Sequence, residues 1–163
     1  MKKTISITIK ISWLLFDVAN ETFLRGKALK NRDNHREIAA MYATEDPEVR
    51  EKVLRSIRKG TAEIRNALSE YIDVQGESWD NSLADGAGNV TINLSMPGNF
   101  DEAAITGIGE SAHDYLKNVA IGDWYLVTNK DEAQQYYALS EKSLATMMTA
   151  SSKRKRPTRP STT

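Results

Sequence analysis

The sequence predicts a mainly α-helical fold: a helical bundle with a small β-ribbon or hairpin and an extended basic C-terminal arm. Three observations carry that expectation. Apolar residues recur at three- and four-residue spacing through long segments, and two short stretches alternate with a period of two. The chain closes on SSKRKRPTRPSTT, with five cations, two prolines and no aliphatic or aromatic side chain. At 163 residues the chain suits one domain with a core large enough to fold alone. Residues 1–150 are expected to form that domain, with its β-element near residues 77–96, and residues 151–163 to form the tail.

Residues 4–11 read TISITIKI, which puts Ile5, Ile7, Ile9 and Ile11 on one side of a half-buried strand, because successive side chains of an extended chain point to opposite faces. The alternation stops at SWLLFDVANETFLRGKAL, where Trp13, Phe16, Val18, Phe23 and Leu24 favour a helix ending between Gly26 and Leu29. KNRDN is polar enough for a loop, and a short helix is expected over residues 35–42. The clearest helix opens at TEDPEVREKVLRSIRKGTAEIRNALSEYI. Asp46 stands at its cap and Pro47 in its first turn, where the missing N–H costs nothing. Val49, Val53, Ile57, Ile64, Leu68 and Tyr71 then trace one buried stripe, bridged by Gly60 and Thr61.

GESWDNSLADGAGNVTINLSMPGN lacks a helical pattern. Val90, Ile92, Leu94 and Met96 alternate, and DGAGN at residues 85–89 supplies glycines for a hairpin turn. The ribbon expected here either projects from the body or pairs with the first strand. Asn99 and Glu102 form a capping-box-like pair ahead of a helix with Ile105, Ile108, Ala112, Tyr115, Leu116 and Val119 on its apolar face. Gly107, Gly109 and Gly122 each weaken that helix by about 1 kcal/mol relative to alanine, which a closely packed neighbour would explain. Asn129 and Glu132 repeat the cap pattern, and Ala133, Tyr136, Tyr137, Ser140, Leu144, Met147 and Met148 line the final helix.

The formal net charge is zero, from 22 basic and 22 acidic side chains, yet five of the basic ones (Lys153, Arg154, Lys155, Arg156 and Arg159) lie in the acid-free tail. The body keeps 17 basic against 22 acidic residues, a net of −5. An acidic body with a cationic tail attracts its own copies or an acidic partner. Cysteine is absent, which excludes a disulfide framework, a thiolate nucleophile and a thiolate metal site, and fits a reducing compartment. The opening MKKTISITIKISWLLFDVA imitates a signal peptide, but Lys10 and Asp17 interrupt its apolar stretch; neither a cleaved leader nor a membrane span is expected.

The pairs Glu45–Asp46, Asp101–Glu102 and Asp131–Glu132 each fall at an expected helix N-terminus, where negative charge meets unpaired N–H groups. Capping accounts for them better than acid–base chemistry across a cleft does. His35 and His113 belong to no ligand spacing, DGAGN lacks the Gly-Lys-Ser/Thr continuation of a phosphate loop, and no G-x-S-x-G occurs. No enzymatic activity, metal or cofactor is expected. Arg50, Arg55, Arg58, Lys59 and Arg65 make one side of the third helix basic. Glu48–Lys52 and Glu51–Arg55 are ordinary i,i+4 partners there, so a solvated face, or one contacting an acidic neighbour, is favoured over a nucleic-acid site. Trp79, in the polar Gly-rich connection, is expected at an interface, and Trp124 between helices or at a subunit contact.

The tail is the strongest functional signal. Pro157 and Pro160 prevent helix, and thirteen extended residues span about 40 Å, enough to reach a neighbouring molecule. Three roles fit it. It is a disordered solubilising end, or a phosphate binder with a salt slope of about −4.5 on duplex DNA when five phosphates are neutralised, or an arm docking in an acidic groove of a protein partner through forked arginine contacts.

The stretch FDEAAITGIGESAHDYLKNVAIGDWYLVTNKDEAQQYYALSEKSLATMM, followed by KRKRPTRP, resembles a family of bacteriophage head–tail connector (neck adaptor) proteins. The shared pattern is a long helix with HDYL and DW, a second helix, and a basic Pro-containing end. It covers roughly residues 99–160; the first half matches only in its style of helices plus β-ribbon, and the strand TISITIKI departs from the family's helix-first pattern. The resemblance implies a non-enzymatic ring subunit of the virion neck, assembled in the host cytoplasm. Such a subunit joins portal to tail through contacts with copies of itself, the portal and neighbouring neck or tail proteins. DNA passes through the assembly without sequence-specific binding, and no membrane is involved. Lys153, Arg154, Lys155, Arg156, Pro157, Arg159 and Pro160 become the docking arm. The alternative is a nucleic-acid-binding accessory protein using the same tail. The tail has no aromatic platforms among its cations, which disfavours single-strand binding.

Overall fold

The computed structural model describes residues 1–74 and 88–158. In chain order these form β1 (Lys3–Lys10), α1 (Ile11–Leu29), α2 (His35–Met41), α3 (Pro47–Ala67), β2 (Asn89–Met96), a 3₁₀ turn (Glu102–Ala104), α4 (Ile105–Thr128) and α5 (Lys130–Ser151). The fold is mainly helical with one small antiparallel ribbon, as the two periodicities predict.

The ribbon forms because each strand is apolar on one side only. β1 and β2 pair antiparallel from Lys3 opposite Met96 to Lys10 opposite Asn89. Ile5, Ile7 and Ile9 share the buried side with Val90, Ile92, Leu94 and Met96, while Thr4, Ser6 and Thr8 face solvent. Ile11 is buried too, but as the first residue of α1 rather than the last of the strand. The ribbon thus pairs with the first strand, and most of the DGAGN turn lies outside the described residues. The far edge of β2 takes up the chain leaving α3: Ser95 N–H donates to Tyr71 O at 2.6 Å and Asp73 N–H to Asn93 O at 3.0 Å. That is why α3 ends at Ala67 and Tyr71 serves the sheet instead of the helical stripe.

α4 is the central helix, packed on α1, α2, α3, α5 and β1. Its apolar face is the expected one, widened by Ala120, Ile121, Gly122 and Tyr125. Asn129 alone joins it to α5; the Asn129 side chain accepts from Glu132 N–H at 3.4 Å, the cap anticipated there. The short connection lays the helices antiparallel and close. A Cβ on Gly122 would stand 2.8 Å from the Tyr137 ring, and one on Gly60 of α3 would stand 2.9 Å from Leu116. Gly107 and Gly109 meet only ordinary contacts, so close packing explains one of the three α4 glycines.

Several local expectations are corrected. Asp46 occupies the N-cap position of α3 behind Pro47, but its carboxylate accepts from Thr44 Oγ1 at 2.6 Å rather than from the helix. Asn99 and Glu102 form no capping box: Asp101 caps the 3₁₀ turn through Ala103 N–H at 3.1 Å, and Glu102 pairs with Lys3. Met148 is exposed while Met147 is buried. In α1 the buried stripe is Ile11, Leu14, Val18, Thr22 and Gly26; Trp13, Phe16, Phe23 and Leu24 point outward.

Candidate interaction surfaces

The arm is rooted on the body. α5 runs to Ser151, and the chain then lies antiparallel to residues 99–101. Asp101 N–H donates to Lys153 O at 3.2 Å and Lys155 N–H to Asn99 O at 2.9 Å, bridging Phe100 to Arg154. Arg154 turns back into the body. Its guanidinium donates to Ser151 O at 2.9 Å and to the Tyr71 hydroxyl at 3.3 Å, and it lies 6.0 Å from the Tyr71 ring centre. Among the residues assigned to docking, Arg154 is therefore an internal anchor. Lys153 before it and Lys155, Arg156 and Pro157 after it are exposed. Arg159 and Pro160 lie outside the described residues, as does Trp79.

Positive charge gathers around this root from both ends of the sequence. Lys3 pairs with Glu102, the residue following the one bonded to Lys153, and Lys155 adds to the field that holds the Glu102 carboxyl below its ordinary range, after the Lys3 hydrogen bond and charge.

The outward face of α1 is the second surface. Trp13 is 61% and Phe16 64% exposed, with Phe23 and Leu24 farther along the same side. Phe23 packs on Tyr42 with ring centres 5.2 Å apart. Phe16 also lines a cavity of about 420 Å³ between α1 and the start of α3, floored by Leu15, Val18, Ala19 and Val53 and edged by Glu45. Aromatic residues on one exposed helical face above an apolar groove are the surface expected of a protein contact. In the sequence these residues read as helical, with nothing to separate the two faces.

A flank of α1 is tied down by polar contacts. Asp17 meets His113 Nε2 at 2.6 Å, Glu21 meets Lys117 at 3.3 Å, and Arg25 meets Glu132 at 2.7 Å. Four-residue spacing on α1 builds this ladder. It absorbs His113 and Glu132 into structure. Among the described residues no cluster of three or more His, Asp or Glu residues is arranged to hold a metal ion. Nor is any helix of the described residues long and apolar enough to cross a membrane.

Trp124 is held between helices of its own chain: its indole N–H donates to Met41 O at 2.8 Å, and Lys52 stands 5.6 Å over its ring. The basic side of α3 is partly neutralised. Arg55 pairs with Glu51 at 3.1 Å, as the spacing predicts, and Lys59 approaches Asp123 at 3.8 Å. Lys52, expected to pair with Glu48, serves Trp124 instead. Compared with protein-family models, curated proteins and solved structures, the chain finds no match.

Proposed function

We propose that this protein is a structural component of a bacteriophage virion, a head–tail connector subunit of the neck that joins portal to tail as part of a ring. The observation that supports it best is the rooted arm. A loose solubilising end needs no anchor, whereas a docking element gains affinity when its departure point and direction are set in advance. Here Arg154 and the bridge to Phe100 set both, and exposed cations follow at once. The outward aromatic face of α1 supplies a second surface for contacts between copies. On this reading the protein acts by shape, without catalysis.

The nucleic-acid alternative loses ground on the same residues. With Arg154 committed to Tyr71 and Ser151, four tail cations remain, which lowers the expected slope of log K against log salt to about −3.6 on duplex DNA. The test uses Lys153→Glu, Lys155→Glu, Arg156→Glu and Arg159→Glu together, which reverses the arm and keeps Arg154. Wild-type protein is expected to co-sediment with portal rings of the phage that encodes it, and the variant to stay in solution. Duplex binding by fluorescence anisotropy at that slope, lost in the variant, with no portal binding by either form, would transfer the assignment to the accessory-protein reading.

A further inference from the structure

Among the described residues, β1 presents an open edge. Because Asn93 and Ser95 of β2 direct their backbone bonds to Asp73 and Tyr71, alternation along β2 turns Val90, Ile92, Leu94 and Met96 toward β1. Their register partners Ile9, Ile7, Ile5 and Lys3 spend their backbone groups inside the ribbon. Thr4, Ser6 and Thr8 direct their N–H and C=O groups the opposite way, and no group among the described residues bonds to them.

Such an edge is a template for another strand, and sheets guard it with proline, bulges or charge. β1 contains no proline, and its register with β2 is unbroken from Lys3 to Lys10. Its lysines are occupied elsewhere: Lys3 with Glu102, and Lys10 with Trp13, whose ring centre lies 4.8 Å from the ammonium.

The strand's own order of residues specifies the occupant. Thr4-Ile5-Ser6-Ile7-Thr8 reads the same in both directions. Antiparallel pairing centred on Ser6 sets Ser6 opposite Ser6 of a second copy and Thr4 opposite Thr8. Every outward N–H then meets a carbonyl, and Ile5 falls beside Ile7 on the buried side of the sheet. A two-fold axis requires this kind of self-complementary surface. We propose that two copies associate edge to edge through β1, antiparallel about Ser6, joining their ribbons into one sheet. The association concerns free copies and stands apart from the ring reading.

The absence of cysteine makes the test clean. Opposed residues that exchange backbone bonds have Cα atoms about 5.5 Å apart, within the span of a disulfide. Full-length protein carrying Ser6→Cys is expected to form a covalent dimer under mild oxidation. Thr4→Cys and Thr8→Cys should each stay monomeric alone and cross-link when mixed in equal amounts. Thr91→Cys, exposed on β2 away from the edge, gives the rate of random collision; all four positions are exposed, so the core is untouched. Ser6→Cys cross-linking no faster than Thr91→Cys would overturn the proposal and point to a strand from a different protein. Thr4→Cys or Thr8→Cys dimerising alone as fast as Ser6→Cys would overturn the register.

Discussion

Arg25 and Glu132, 107 residues apart, meet in a two-pronged ion pair: Nε donates to Oε2 at 2.7 Å and Nη2 to Oε1 at 2.8 Å. Glu132 is buried, whereas the Arg25 side chain is about a third exposed. The pair is the last rung of the ladder that begins with Asp17–His113 and continues with Glu21–Lys117. Together the rungs fix how α1 sits on α4 and α5, and thereby which of its faces carries Trp13 and Phe16 outward.

The unequal burial predicts unequal mutants. Arg25→Met leaves a buried carboxylate without its cation, a loss that costs about 2–4 kcal/mol once the exposure of Arg25 is allowed for. Glu132→Gln leaves a guanidinium that water can still reach, and is expected to cost about 1–2 kcal/mol. Urea denaturation of both single variants and the double variant measures this. Equal losses from the two singles would mean that Glu132 is solvated in solution.

Gly122→Ala isolates the α4–α5 contact. Helix propensity alone favours alanine by about 1 kcal/mol. The added Cβ, however, meets Tyr137 ring atoms at 2.8–2.9 Å, and that ring is held by a 2.5 Å bond from its hydroxyl to Asp123. The ring must shift and strain that bond, so the substitution is expected to destabilise by about 1–3 kcal/mol. An increase in stability would show that the helices separate at little cost.

Tyr125→Phe is expected to stabilise the protein. Tyr125 is fully buried, its ring edge-on to Tyr136, and among the described residues its hydroxyl has no hydrogen-bond partner. Removing a buried unsatisfied hydroxyl recovers about 1 kcal/mol of desolvation cost, which in a chain of this size raises Tm by about 2–4 °C. A fall in Tm of the same size would reveal a bond made through solvent.

How much of this was legible in the sequence depends on whether burial was one-sided. β1, β2 and α3 each bury one regular face, so periods of two and of three to four placed them; α4 keeps that period only up to Val119, because residues 118–122 are buried on every side. α1 is apolar on two sides: Leu14 and Val18 face the core while Trp13 and Phe16 face outward. Its buried stripe then continues through Thr22, whose hydroxyl accepts from Ala43 N–H at 3.0 Å, and Gly26, which admits the Tyr42 ring. Neither residue type signals a core position, so the outward surface could not be told from the inward one. The arm was legible as charge and proline, but its anchor was not. Tyr71 lies 83 residues before Arg154 and the pairing leaves no local pattern. The same holds for Glu132, whose place in a helix's first turn suggested a cap and concealed a salt bridge.

Tyrosine burial sets the behaviour at high pH. Tyr115, Tyr125, Tyr136 and Tyr137 all have their phenols pushed above the ordinary range, first by burial; Tyr115 is further raised by Glu63 and Tyr137 by Asp123. A phenol whose folded pKa exceeds its unfolded value contributes stability that is complete below the unfolded value of about 10. That stability is lost as pH rises from there through the folded value, because the unfolded chain releases protons that the folded one retains. Alkaline titration is therefore expected to unfold the helices cooperatively above about pH 10, with phenolate absorbance at these four residues appearing together with the loss of far-ultraviolet ellipticity. The chain has six tyrosines. Phenolate absorbance from more than two of them while the helices remain intact would show that the buried hydroxyls ionise in the folded state, and would remove the desolvation on which the prediction rests.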